Sequence, residues 1–472
     1  MKDAMESDLL TQADEEGLVA QAARRAGRDL TTGSISTAIW RLAPPIMLGN
    51  MVHVVISLTD TYFVSCLGKQ AIAAVGMSGQ VMMLLGSVFM GIGAATTALV
   101  SRAVGARDSD RADHVATQAL LFALLISVAV GVPGFIYSSW MLDALGAKPE
   151  VLEQGTGYLR IIFAGTSAMT VLAIGSGVLR GAGDAMTPFI ISVIAAAVNV
   201  VLDPLLIRGY LFFPEMGVRG AALASVAAQA VGLAVGIWVL ATGRVSVRLR
   251  LREFRPDLDV LKKTILIGIP MSVQMALRAL MGLVLMGIVA TFGTAVLAAY
   301  TVGIRLRMVG FMPGFGIAEA SAVLVGQNLG AGKPERAQRS ALVAAANTVI
   351  IMGTAGLASF IFAPWLMGVF SQEPEVIAAG ASMLRISAPA FAFSALGIVL
   401  SRAIGGAGVT FPTMIITLAT LWGFQVPAAY WLAGVPALGE KGIWIAMLGA
   451  AALQAIATSA YFFLGDWKRK KA

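Results

Sequence analysis

Asn199 and Asp203 stand four residues apart in the run Asn199-Val200-Val201-Leu202-Asp203-Pro204. On a helix that spacing puts both side chains on one face. An amide oxygen beside a carboxylate suits a hard monovalent cation, or a carboxyl that holds a proton. Pro204 lacks a backbone donor and tends to kink a helix, freeing an upstream carbonyl. The surrounding sequence is apolar, and a charge taken out of water without a partner costs several kcal/mol. The plainer reading places Asp203 near the outer membrane surface, because the apolar run ends near Ile207. Asp60 is a second such carboxylate, flanked by Thr59 and Thr61 and preceded by His53 two helical turns earlier. His53 is either a proton relay or a hydrogen-bonding residue of the bundle. Together these residues suggest a transporter coupled to a cation or to protons.

Glu319 is another acid in apolar sequence, between Ile317 and Ser321. It either faces a cavity and meets a cationic substrate, or pairs with Arg278, Arg305 or Arg307, with Arg385 a further candidate. Arg278 is itself a candidate cavity residue.

The elements that must carry these residues are set by composition. The 472 residues are 58% hydrophobic and 13% charged, against about 45–50% and about 25% in soluble domains. The expected fold class is therefore an all-α polytopic membrane protein. Twelve apolar spans can be read, at roughly 38–64, 71–100, 115–140, 155–179, 187–207, 218–241, 262–291, 295–325, 339–364, 377–401, 411–434 and 442–465. Scattered glycines and alanines in them let helices approach closely. One cysteine, Cys66, and two histidines, His53 and His114, exclude a disulfide framework and a self-sufficient zinc centre. No resident cofactor and no enzymatic activity are expected.

The formal charge of +8 lies in the segments between spans, a topogenic pattern rather than a nucleic-acid footprint. Arg102, Arg107, Arg111, Arg180, Arg244 to Lys263, Lys333, Arg336, Arg339, Arg402 and the Lys468–Lys471 tail fall on one side. By the positive-inside rule both termini are cytoplasmic, in a plasma (inner) membrane. The polar segment 1–35 reads as a solvated tail or surface helix, without the apolar core of a signal peptide.

An internal repeat organises the chain. Pro45 matches Pro270, Gly91-Ile92 matches Gly316-Ile317, Gly105-Ala106 matches Gly330-Ala331, and Gly181-Ala182-Gly183 matches Gly406-Ala407-Gly408, all at an offset of 225 residues. The expected organisation is an N-terminal lobe over 36–241, a basic linker over 242–263, a C-terminal lobe over 264–465 and a basic tail over 466–472. Six spans is an even number, so the lobes enter from the same side, related by a pseudo-two-fold axis along the membrane normal around a central cavity. Asp60 maps onto Leu285, and Asn199 and Asp203 map near Gly423 and Pro427. The asymmetry favours a functional role for these residues. Gly330-Ala331-Gly332-Lys333-Pro334 lacks the hydroxyl and glycine spacing of a nucleotide loop.

With these motifs in place, the chain resembles the multidrug and toxic compound extrusion (MATE) transporters. The matching passages include Pro45 to Gly68, Leu179-Arg180-Gly181-Ala182-Gly183-Asp184, Asn199 to Pro204, Gly217-Val218-Arg219-Gly220 and Leu324 to Gly332, within about residues 38–465. It is similar to the DinF-type branch, whose N-lobe carries the coupling carboxylates. The resemblance implies that Asp60, Asn199, Asp203 and Ser225 bind the coupling ion, sodium or a proton, and that His53 stands at the usual polar position before Asp60. Were the ion sodium, Asp60, Asn199 and Asp203 would be its ligands. NorM-type members carry a Glu where this chain has Arg278, so C-lobe coupling through that position is not expected. A histidine, which titrates near neutral pH, inclines the reading to protons.

The expected function is a monomeric antiporter that exports amphipathic, cationic organic compounds or drugs in exchange for H+ or Na+ by alternating access. The alternatives are a flippase for a lipid-linked substrate, with Arg278, Arg305, Arg307 and Arg385 holding a diphosphate, and a membrane sensor or scaffold.

Overall fold

A computed structural model describes residues 30–210, 213–242, 245–249 and 255–469. The acidic and basic residues of segment 1–29, the linker cations Arg244, Arg250 and Arg252, and Lys470 and Lys471 lie outside the described residues. Those described are helical apart from short connections. Eleven helices are long and apolar enough to span a bilayer, and a bent pair makes a twelfth. The spans are Ile35–Ser65, Lys69–Gly105, Ser109–Ala144, Pro149–Ala164 with Thr166–Gly181, Met186–Arg208 and Val218–Ala241 in the first half. The second half repeats them as Leu258–Ala290, Thr294–Gly330, Pro334–Ile361, Pro374–Ser387 with Pro389–Gly406, Phe411–Ala433 and Lys441–Leu464.

The repeat appears in the backbone as well as in the sequence. Gly68 and Gly293 begin the second and eighth spans with φ of 102° and 101°, values that favour glycine. The turn after each of these helices again has a left-handed residue, Arg107 in one half and Gly332 in the other. The fourth span bends by 52° at Gly165, and its counterpart, the tenth, breaks between Ser387 and Pro389. The eleventh contains a π-helical stretch, Leu418–Gln425. That stretch is opposite in the repeat to the part of the fifth span that carries Asn199.

Packing distinguishes the two ends of the bundle. At the end bearing Arg102, Arg107 and Arg336, the second span is almost wholly buried from Gly91 to Ser101, and the eighth from Gly316 to Asn328 except Glu319. A Cβ on Gly105 would collide with the Gln327 backbone, and one on Gly330 with the Arg102 backbone, as two-fold-related contacts. Gln327 Nε2 also donates to the Gly181 carbonyl at 3.1 Å, across the halves. Towards the opposite end the second and seventh spans lose neighbours: Gly76, Gly79 and Gly86 of the second, like Gly282 and Gly287 of the seventh, meet nothing within 4 Å of an added Cβ. The halves therefore meet at the basic end and part towards the other.

The first and seventh spans straddle this division. Ile39, Leu42 and Ile46 of the first pack in a core with Ile317, Val399 and Trp467 of the second half, whereas Val64 packs with Ile207 and Val218 of the first. The seventh mirrors this, with Ile267 in a first-half core and Leu285 and Val289 in a second-half core.

The linker returns along the third span. Arg248 N–H donates to Asp113 at 2.8 Å, Gln118 Nε2 donates to the Arg255 carbonyl at 2.7 Å, and His114 Nε2 lies 2.9 Å from Asp257. Asp257 also caps the seventh span by accepting from Asp259 and Val260 N–H. The His114 imidazole, and then those backbone donors, hold the Asp257 carboxyl below the usual carboxylate range. A carboxyl with a lowered folded value stabilises the fold above its unfolded value, about pH 4, and loses that contribution as pH falls further. Asp257→Ala is expected to cost about 1 kcal/mol, the usual worth of such a cap. In thermal melts the difference between wild type and variant should shrink below about pH 4.

Candidate functional site

The fifth span brings Asn199 and Asp203 into the first half at 1% and 0% exposure. Asp203 does not sit at a wet surface. Both oxygens of Asp203 and both polar atoms of Asn199 are enclosed without a hydrogen-bond partner. The helix continues through Pro204 to Arg208, and because proline has no N–H the Val200 carbonyl lacks its usual donor. Asp60, from the first span, meets this face: Asp203, Asn199 and Ser225 are its side-chain neighbours. Ser225 Oγ donates to Asp60 Oδ2 at 3.5 Å, while Oδ1 is buried without a partner. Three spans thus converge two carboxylates, an amide and a hydroxyl.

Two carboxylates side by side in an apolar setting repel unless a proton or cation lies between them. The unpartnered oxygens of Asp60, Asp203 and Asn199 are the donor set that a hydrated monovalent ion would exchange for its water. The arrangement fits a proton equally well.

Tyr158, from the fourth span, lies within electrostatic reach of both carboxylates and had no place in the sequence reading. The available signal was a lone phenol in an apolar span whose repeat counterpart is Met383. His53 lies two turns from Asp60 on the same helix and is exposed. It stands apart from the carboxylate contacts.

Glu319 is at the closed end. Its oxygens lie 3.8 Å from Arg180 Nε of the first half and 3.8 Å from an Arg402 nitrogen of the second. The sequence points to Arg278, Arg305 or Arg307, with Arg385 a further candidate, as partners and puts Arg180 and Arg402 among loop cations. Instead both lie within helices, Thr166–Gly181 and Pro389–Gly406. Helix length explains the difference, since these helices run past the apolar stretch that marks a span. Arg278 lies near Arg402, half-buried, while Arg305 and Arg385 are exposed.

In the second half the position equivalent to Asp60 is Leu285, in an apolar cluster with Val289 and Ala429, and a neutral polar cluster lies about three turns towards the basic end. Gln274 Nε2 donates to the Thr413 carbonyl at 2.9 Å and to Thr417 Oγ1 at 2.8 Å, and Gln454 approaches the same hydroxyl at 3.4 Å.

This geometry can be set beside known proteins. The MatE family profile matches residues 45–205 and 270–431, once in each half. The chain belongs to the MatE family. It is 27% identical over 430 residues to the probable multidrug resistance protein NorM of Thermotoga maritima, covering 91% of this chain and 92% of that one. It is 26% identical to the FAD transporter of Shewanella oneidensis, covering 89% and 92%. Among solved structures, a MATE protein in its bent conformation superposes with a TM-score of 0.87 at 28% identity, covering 93% of this chain and 97% of that one. The two profile matches coincide with the sequence repeat, so this MatE-family chain is a twelve-span membrane transporter of two pseudo-symmetric halves around a central cavity.

Proposed function

We propose that this chain is a secondary antiporter that exports amphipathic organic compounds in exchange for H+ or Na+, with the N-terminal lobe holding the coupling ion. What supports the reading is the convergence of Asp60, Asn199 and Asp203, with orphaned buried oxygens, in one lobe only. Both termini face the cytoplasm in this reading. The closed basic end is then the inner gate, and the described conformation opens outward. Ion and cargo must bind the two states unequally for exchange to occur. Bringing the carboxylates together charged is costly, so protonation or sodium entry favours one arrangement of the first span over another. N-lobe coupling is the DinF-type scheme.

Relatives named for drugs and for FAD make the cargo a matter for this chain's own residues. Glu319 is already matched by Arg180 and Arg402, so a preference for cationic cargo rests on the N-lobe carboxylates. The flippase reading is favoured by half-buried Arg278 and buried Arg307, which suit a diphosphate. Proteoliposomes separate the two. An imposed proton or sodium gradient should drive dye efflux, and replacing sodium by potassium identifies the ion. Gradient-independent movement of a lipid-linked diphosphate, with no dye efflux, would favour the flippase.

A further inference from the structure

The second half holds a buried cation beyond the counterpart of Tyr158. Tyr158, beside the acids, corresponds in the repeat to Met383 of the tenth span. Met383 packs on the eighth span, its sulfur 2.7 Å from where a Cβ on Gly303 would lie. It shares a buried cluster with Tyr300 and Trp444, whose rings stack 5.8 Å apart. One turn beyond Gly303 comes Arg307, only 8% exposed, with its guanidinium 5.4 Å from the Phe311 ring. The eighth and tenth spans run parallel, with Gly303 on Met383 and Gly310 on Phe391. Ser387, one turn from each of those partners, therefore stands level with Arg307.

The polar atoms here are short of acceptors. Arg307 Nε and one terminal nitrogen have no hydrogen-bond partner, nor do Ser387 Oγ and Trp444 Nε1, all of them buried. Guanidinium and indole N–H groups only donate, and a hydroxyl can do so. A buried cation left without a counter-charge is strongly unfavourable, and so are buried donors without acceptors. A negatively charged acceptor would satisfy such donors.

We propose that this C-lobe pocket, centred on Arg307 and Ser387 with the Tyr300–Trp444 stack as its wall, binds an anion. Its source is either free chloride, a counter-ion to cationic cargo, or the phosphate or carboxylate of the cargo itself. The site does not depend on the coupling role of Asp60 and Asp203, and its test reads binding rather than transport.

The full chain in detergent is melted in chloride and in gluconate, and titrated with riboflavin 5′-phosphate and with riboflavin, which differ only in the phosphate. Stabilisation by chloride that Arg307→Gln removes identifies the inorganic anion. A preference of about tenfold or more for the phosphorylated flavin, lost in Arg307→Gln, identifies the anionic group of a cargo; that is the scale of one charge-assisted contact. If Arg307→Gln does not fold, Ser387→Ala removes a single donor, and a several-fold loss of the same signal supports the site. Equal binding of both flavins with no chloride dependence overturns the proposal, as do anion effects that neither substitution alters.

Discussion

Asp203→Asn is expected to reduce gradient-driven efflux to the level of protein-free liposomes while the protein still folds and inserts. The amide fills the same space in a pocket where Asp203 is fully buried and both carboxylate oxygens lack partners. It cannot carry a proton, and it removes the negative charge that would hold sodium. Asp60→Asn should do the same. In the proposed scheme the two acids share one ion, so the double variant should lose no more than either single one, a non-additivity expected of residues in contact. Reconstituted efflux with matched protein incorporation measures this. Full coupled transport by Asp203→Asn in a cell lacking other pumps would sink the coupling assignment.

The second large effect is expected at the closed end. Gly330→Ala puts a methyl group into the Arg102 backbone, and Gly105→Ala puts one into the Gln327 backbone. Neither neighbour is a flexible side chain that can swing aside. Overpacking of this kind costs about 1–3 kcal/mol, and 1.4 kcal/mol already shifts a two-state ratio tenfold. Both substitutions should move the protein away from the conformation described, towards one open at the basic end. Spin-label distances across that end should lengthen, and transport should fall about tenfold or more. Unchanged distances in both variants would show that the contact does not set the balance.

Much of this architecture was legible because a bilayer imposes hard rules. Spans must be long and apolar, so hydropathy located all twelve, and the repeat paired Gly105-Ala106 with Gly330-Ala331, where the second and eighth helices end. The pairing of Asp60 with Asn199 and Asp203 was legible because an acid in an apolar helix needs a reason to be there. What escaped depends on three-dimensional neighbours. Tyr158 carries no charge and resembles any aromatic of a packed span. Arg180 and Arg402 lie near the ends of their apolar runs, where linear reading cannot separate a loop cation from a helix-terminal one facing inward. The second and eighth helices run to Gly105 and Gly330, beyond apolar stretches read as ending at 100 and 325, because a helix leaving the bilayer has no need to stop at its surface.

The Arg180–Glu319–Arg402 cluster has a further consequence. It sets two cations against one acid, with Arg278 close to Arg402, so the plug between the halves carries surplus positive charge on largely covered side chains. Such a region repels hydronium and sodium alike, as fixed positive charges do in water channels that exclude protons. With this end shut the seal should therefore act as an insulator as well as a mechanical closure, and in the proposed exchange it would keep the cation gradient from draining through the protein.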